Sequence, residues 1–290
     1  MRRKILFALL VSVLTAAALF AQESAGFLGL QGETERPEFQ LELDWASKYV
    51  DKGVVYNNQA LLFGDLSLEF QGLYLGVWGA YNLSHFQSRN GYVGEERGLY
   101  DSERKWRFEE VNPYVGYYYT FDEIEGLGPL TLDLSWTYNH YPTMSEENSA
   151  EFELSASLDE LYKSDRSNLA LKLSAAHDYK IEESWIILGS TYTYALDAEG
   201  EFELQLDGEL YWGDTKFMRE YDANGNGLSF AVFELALNWQ ASEWLCISPY
   251  LGASCALDSR VRDWTRQDDD YGRFNSRRNY WGGLRATMTY

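Results

Sequence analysis

The last stretch of the chain, Tyr280 to Tyr290, limits the possible folds most. Tyr280, Gly282, Leu284, Ala286, Met288 and Tyr290 share one face of an extended strand, and Trp281, Gly283, Arg285, Thr287 and Thr289 share the other. One face is apolar and the other mostly polar. A strand of this kind at the end of a sequence leaves an unpaired edge unless a closed barrel pairs it with the first strand. The expected partner is Phe39 to Tyr49, antiparallel, which would bring Arg285 to Glu42 and Asp44. The competing architecture is the closing strand of a secreted β-sandwich.

The period of two recurs along the chain. Phe39, Leu41, Leu43, Trp45 and Tyr49 oppose Gln40, Glu42, Asp44, Ala46 and Lys48, and Leu62, Leu66, Leu68 and Phe70 oppose Asp65, Ser67 and Glu69. After a tight turn at Gly72 come Leu73 to Asn82, Arg107 to Phe121 and Leu130 to Asn139; Pro113 is a blemish because it lacks a ladder donor. Further segments lie at Glu151 to Leu158, Leu169 to Ser174, Ser184 to Tyr194, Phe202 to Trp212, Phe233 to Trp239 and Leu245 to Ala253. With the last strand this predicts an all-β, antiparallel transmembrane barrel of about 12 strands with its N- and C-terminal strands paired. Tight turns at Gly72, Asp197 to Gly200 and Ala241 to Glu243 fall on one side. The long polar stretches Ser84 to Lys105, Gly213 to Gly227 and Ser259 to Arg278 fall on the other, the asymmetry of periplasmic turns and external loops. Only Leu158 to Asn168, read as a loop longer than the opposite turn at Lys180 to Glu183, runs against it.

Residues 1–21 read as a cleaved export signal: Arg2, Arg3 and Lys4 precede an apolar run ending near Ala21. Residues 22–37 follow as a periplasmic N-terminal segment and residues 38–290 as the barrel. Aromatics make up 16% of the chain, with only 5 Pro, and mean hydropathy is -0.39, values that exclude a helical membrane bundle and suit alternating strands with aromatic belts. Net charge is -21, which disfavours nucleic acid and anionic surfaces. Cys246 and Cys255, if on one strand, lie about 30 Å apart and cannot bridge.

Ser47-Lys48-Tyr49-Val50-Asp51-Lys52-Gly53 is similar to the S-x-Y-x-x-R-G first hairpin of the TorF-type family of porin-like barrels, with Lys52 where that family more often has Arg. Gly72 to Gly79, Glu110 to Tyr117, Tyr138 to Pro142 and the last strand follow in the family's order. The resemblance spans nearly the whole exported chain and implies an outer-membrane barrel; it supplies no established substrate.

Inward parity collects Glu42, Asp44, Asp65, Glu69, Glu110, Asp133, Glu151, Glu153, Glu203, Asp207, Glu209 and Glu234, against Lys48, Lys172 and Arg285. An open lumen so lined would prefer cationic or neutral solutes, whereas a filled one would pair these groups with its few cations and its hydroxyls. The third reading is a non-conducting barrel that adheres through its long loops, Gly91 to Lys105 and Arg260 to Arg278. Expected partners are outer-membrane lipids, the barrel-assembly machinery and small solutes; no cofactor is called for. A remote enzymatic reading would use His140 or His177 at the external rim, with Ser145 as nucleophile to His140, but no third orienting residue is evident, so no enzyme is expected. Asp222, Asn224 and Asn226 resemble the start of a calcium loop with Asp268, Asp269 and Asp270 as external partners, yet position twelve is Phe233 and the bidentate Glu is missing, so no metal site is assigned.

Overall fold

A computed structural model describes residues 36–83, 108–124, 128–142, 148–265 and 275–290. The wall strands are β1 (Glu38–Ala46), β4 (Leu61–Phe70), β5 (Leu73–Asn82), β6 (Phe108–Ile124), β7 (Gly128–Asn139), β8 (Ser149–Lys163), β9 (Ser167–Asp178), β10 (Glu183–Ala195), β11 (Phe202–Gly213), β12 (Gly227–Ser242), β13 (Leu245–Ala256) and β14 (Arg278–Thr289). They form a closed antiparallel barrel in sequence order, sealed between β14 and β1. Asp44 pairs directly with Arg285 across that seam, and Phe39 and Tyr290 exchange backbone hydrogen bonds at 2.9 Å. Closure leaves no sheet edge, the condition for strands to cross a bilayer.

Parity decides which side chains face out. Leu43, Trp45, Leu134, Leu154, Leu173, Leu188, Leu206, Leu235, Leu251 and Leu284 are all exposed on the outer wall. Aromatic pairs bracket this belt. Trp244 stacks on Tyr290 and Phe202 on Trp239 at the end bearing the short turns; Trp136 stacks on Tyr138, and Phe152 lies against Tyr179, at the other. An apolar belt between two aromatic girdles is the surface of a membrane-spanning barrel.

Pro113 and Pro249 each coincide with a gap in the ladder. Odd residues of β6 donate toward β7, as Val111 does to the His140 carbonyl at 2.8 Å. Pairing between β6 and β7 skips from that bridge to Tyr114↔Thr137 in an unchanged register, so Pro113 removes one ladder hydrogen bond without shifting the strands. Pro249 of β13 falls likewise in the gap between Ala236↔Tyr250 and Trp239↔Ile247.

Two expectations need correction. Tyr49 is not part of the wall. The chain leaves the barrel after Ala46 and forms a small hairpin, β2 (Tyr49–Asp51) and β3 (Val54–Asn57), before rejoining at Leu61, which pairs with Ala46. Nor is Leu158 to Asn168 a loop: β8 runs on to Lys163 and turns back within 164–166. A register shift between Leu158 and Tyr162 exposes both Leu161 and Tyr162, which hides the alternation in the sequence. With that strand extended, the exception to the short-turn rule disappears.

The segments read at 1–35, the loop Ser84 to Lys105, Ser145 and Asp268 to Asp270 lie outside the described residues.

Candidate functional site

The lumen has two halves. Toward the short-turn end it is polar, with a cavity of about 670 Å³ bounded by β5 to β9, among whose lining residues are Tyr74, Tyr114, Tyr118, Asp133, Glu153 and Lys172. Most of the inward carboxylates named from the sequence have a hydrogen-bond or ion-pair partner here or above it, and most of those partners are neutral. Tyr114 donates to Asp65 at 2.7 Å, Tyr74 to Asp133 at 3.0 Å, Tyr118 to Glu69, and Tyr211 to Glu209 at 2.5 Å. Thr191 and Gln205 donate to Asp207 at 2.6 and 2.7 Å, Asn238 to Glu203 at 3.4 Å, and Tyr49 to Glu110 at 2.8 Å. Glu153 meets Lys172 at 3.2 Å.

Three of the tyrosines reach their acids by one recurrent device. Tyr114 lies across Gly76 of the neighbouring strand to reach Asp65 one strand further, Tyr74 crosses Gly116 to reach Asp133, and Tyr250 crosses Gly283 to reach Asp44 at 3.0 Å. A Cβ on Gly76, Gly116 or Gly283 would stand 2.4, 2.3 or 2.5 Å from the ring that covers it. Each glycine is thus a slot that lays a phenol flat on the wall and aims its hydroxyl at a carboxylate. We expect Gly76→Val to displace Tyr114 and lower barrel stability by about 1–3 kcal/mol, the usual cost of overpacking, measured by denaturant titration of the lipid-folded protein; an unchanged midpoint would rule this out.

Besides the Glu153–Lys172 pair, charged pairing centres on Arg285. Its guanidinium faces Glu42 at 3.5 Å, Asp44 at 3.7 Å and Glu234 at 3.2 Å, and lies 4.9 Å over the Tyr250 ring. Thr287 adds a hydrogen bond to Glu42 at 3.3 Å. Sequence parity and the seam register place Glu42 and Asp44 here; Glu234 arrives from β12, two strands away along the wall.

The long-loop half is filled. The β2–β3 hairpin folds inward across the mouth. Its Gly53 carbonyl accepts from Ser254 of β13 at 2.7 Å, its Val55 amide donates to Asn275 at 2.8 Å, and Asn57 donates to Glu109 of β6 at 3.2 Å. Two short helices after β11 and β13, α1 (Thr215–Arg219) and α2 (Ser259–Trp264), close over it. Val54, Trp185, Phe217, Met218, Tyr221, Phe230, Val261 and Trp264 form one buried apolar core there. Trp185 and Ile187, whose apolar run with Ile186 and Leu188 blurred the face in the sequence, turn inward against this core while Ile186 and Leu188 face out.

At the hairpin tip Lys52 and Gly53 both have positive φ, 48° and 87°, as a two-residue hairpin turn requires. The Lys52 ammonium sits 4.2 Å over the Trp185 ring and 3.4 Å from Asp51. Burial would lower its pKa, but the negative charges of Asp51, Glu151 and Glu220 outweigh that and hold it above the ordinary lysine value.

The calcium-like loop is held by a side chain. Arg260 donates to the carbonyls of Asn224 and, at 3.4 Å, Asn226, and its hydrogen bonds hold the Asp258 carboxyl below the usual range. Among the described residues no group of three His, Cys, Asp or Glu is arranged to hold a metal. At the rim His140 meets Asn148 at 3.2 Å, whereas His177 meets Ser184 at 3.0 Å, a cross-strand contact that sequence distance concealed. Among the described residues no carboxylate is hydrogen-bonded to His177. Sequence reading also missed Asp159, an inward acid of the extended β8 that accepts from Thr131 at 2.7 Å and Ser157 at 2.6 Å.

Fold and wall together define a membrane-spanning β-barrel of the outer-membrane type, with a polar, acidic lumen. No family model and no curated protein matches the chain. Among solved structures it is similar to an outer-membrane channel from Pseudomonas putida F1 (12% identity, 88% of this chain and 95% of that one, TM-score 0.49). It is also similar to the KdgM porin (9%, 87% and 99%, 0.46) and to the outer-membrane phospholipase A from Escherichia coli (12%, 87% and 95%, 0.46).

Proposed function

We propose that the barrel sits in the outer membrane of a diderm bacterium, short turns and termini in the periplasm and long loops outside, and is a channel for small cationic or neutral solutes. The observation that carries this reading is the pairing of lumen carboxylates with hydroxyls and amides rather than cations. Such hydrogen bonds stabilise the charged form without cancelling its charge, so the wall keeps a negative potential around the cavity of the short-turn half. The resemblance of Ser47 to Gly53 to the TorF-type first hairpin supports the same porin-like reading. In planar bilayers under a salt gradient, the reversal potential should report preference for cations. Replacing Asp133, Glu153 and Asp159 together by Asn, Gln and Asn should lower the cation-to-anion permeability ratio several-fold. Anion preference in the parent protein would overturn the proposal.

The packed mouth favours a second reading, a non-conducting barrel that acts through its long-loop end. Recordings that stay silent even after the hairpin is removed would decide for it.

A further inference from the structure

The cavity of the short-turn half joins two unlike surfaces. On β5 and β6, Tyr74, Tyr114 and Tyr118 form a strip of phenols, with ring centres 6.2 Å apart from Tyr74 to Tyr114 and 6.5 Å apart from Tyr74 to Tyr118. The glycine slots press Tyr74 and Tyr114 against the wall, so each offers its other ring face to the lumen. On β7 to β9 the lining is polar, made of serine and threonine hydroxyls, the carboxylates of Asp133, Glu153 and Asp159, and the Lys172 ammonium. A closed wall is concave, which turns both surfaces toward one space of about 670 Å³, a volume usual for small-molecule sites. The acids keep acceptor capacity for an occupant. Each carboxylate has about four lone-pair sites, yet Asp133 meets only Tyr74, at 3.0 Å, Glu153 meets Lys172 through Oε1 alone, and Asp159 takes one hydroxyl on each oxygen.

Three carboxylates against one ammonium repel an anion. A cation fits less well than a neutral molecule. Glu153 and Asp159 stand about 20 Å apart along β8, no three such groups converge among the described residues, and Lys172 already places an ammonium in the space. The lining instead matches a neutral molecule with hydroxyls along its edges and an apolar C–H face. Its hydroxyls donate to the carboxylates and the serine and threonine oxygens and accept from Lys172, while its C–H face lies on a phenol ring. We propose that this cavity is a binding site for a neutral pyranose saccharide, its ring face on Tyr74 and Tyr118 and its hydroxyl edge toward Asp133, Glu153 and Lys172. The proposal rests on the channel reading and narrows its solute to neutral sugars.

The test is calorimetric titration of the full-length barrel, folded in an amine-oxide detergent so that no sugar headgroup competes. The probes are glucose, galactose, mannose, maltose, cellobiose and lactose, with glucuronate, putrescine and open-chain mannitol as controls. At least one of the six sugars should bind saturably and ten-fold more tightly than every control. Tyr118→Leu should weaken that binding ten-fold or more, whereas Tyr118→Phe, which keeps the ring and loses only the hydrogen bond to Glu69, should stay within about two-fold of the parent. Asp133→Asn should weaken it five-fold or more, and carries the test alone should Tyr118→Leu fail to fold. Six sugars without saturable binding, mannitol bound as tightly as the best sugar, or affinity indifferent to Asp133 would each overturn the proposal. Putrescine bound more tightly than every sugar would assign the cavity to amines instead. Sugar binding by a barrel that passes no current would keep this site and remove the channel reading; current without sugar binding would do the reverse.

Discussion

Replacing residues 47–60 by a short hairpin turn is expected to raise single-channel conductance several-fold. The excision is structurally permitted because Ala46 and Leu61 are paired neighbours at the ends of β1 and β4, so a turn of about two to five residues suffices to join them. It removes the element that reaches from β1 across the mouth to β6, β10, β13 and the segment before β14. Val54 and Val55 are almost fully buried, and losing both would cost about 3–6 kcal/mol, but the twelve-strand ladder is untouched and should still close. A point variant isolates the packing. In Gly53→Val the first added carbon would stand 2.5 Å from Phe230 Cβ on a backbone with φ of +87°, so the hairpin must lift, giving a conductance between those of parent and excised protein. Planar-bilayer recordings measure both. An excised barrel that conducts no better than its parent would show that the hairpin is not the obstruction.

The wall was legible because a sheet with lipid outside and polar groups inside writes its parity directly into the sequence. Leu130, Leu132 and Leu134 against Thr131, Asp133 and Ser135 could be oriented without coordinates, and the seam register that set Arg285 against Asp44 followed from the same rule. Four features were not legible. Tyr49 keeps the phase of Leu43 and Trp45, and parity cannot register that the chain has left the sheet between them. The shift after Leu158 puts Leu161 and Tyr162 on the same exposed side, so a strand read as a loop. The tyrosine–carboxylate pairs depend on glycines of an intervening strand, a relation across three strands that no single segment contains. Mouth residues such as Trp185 and Phe230 broke the polar-inside rule because at that depth the inside is an apolar core.

Arg285→Met is expected to destabilise the folded barrel by about 2–3 kcal/mol, below the 3–5 kcal/mol of a dry ion pair because the guanidinium is partly reached by water. The side chain is 28% exposed, and Asp44 and Glu234, its partners, are 12% and 20% exposed. Removing it leaves Glu42, Asp44 and Glu234 converging on one another with no cation between them, while Tyr250 can still donate to only one. Arg285→Lys should recover part of the loss: a single ammonium restores the charge but cannot reach carboxylates on β1 and β12 together as the forked group does. Combining Arg285→Met with Glu42→Gln, Asp44→Asn and Glu234→Gln should recover most of it, since the repulsion goes with the charges. Denaturant titrations of the lipid-folded protein, followed by tryptophan emission, give the four midpoints. If the single Met variant unfolds with the parent, or if the added neutral substitutions lower the midpoint further, the three acids are not held by Arg285, and the seam must be stabilised by its backbone ladder and the Tyr250 bond alone.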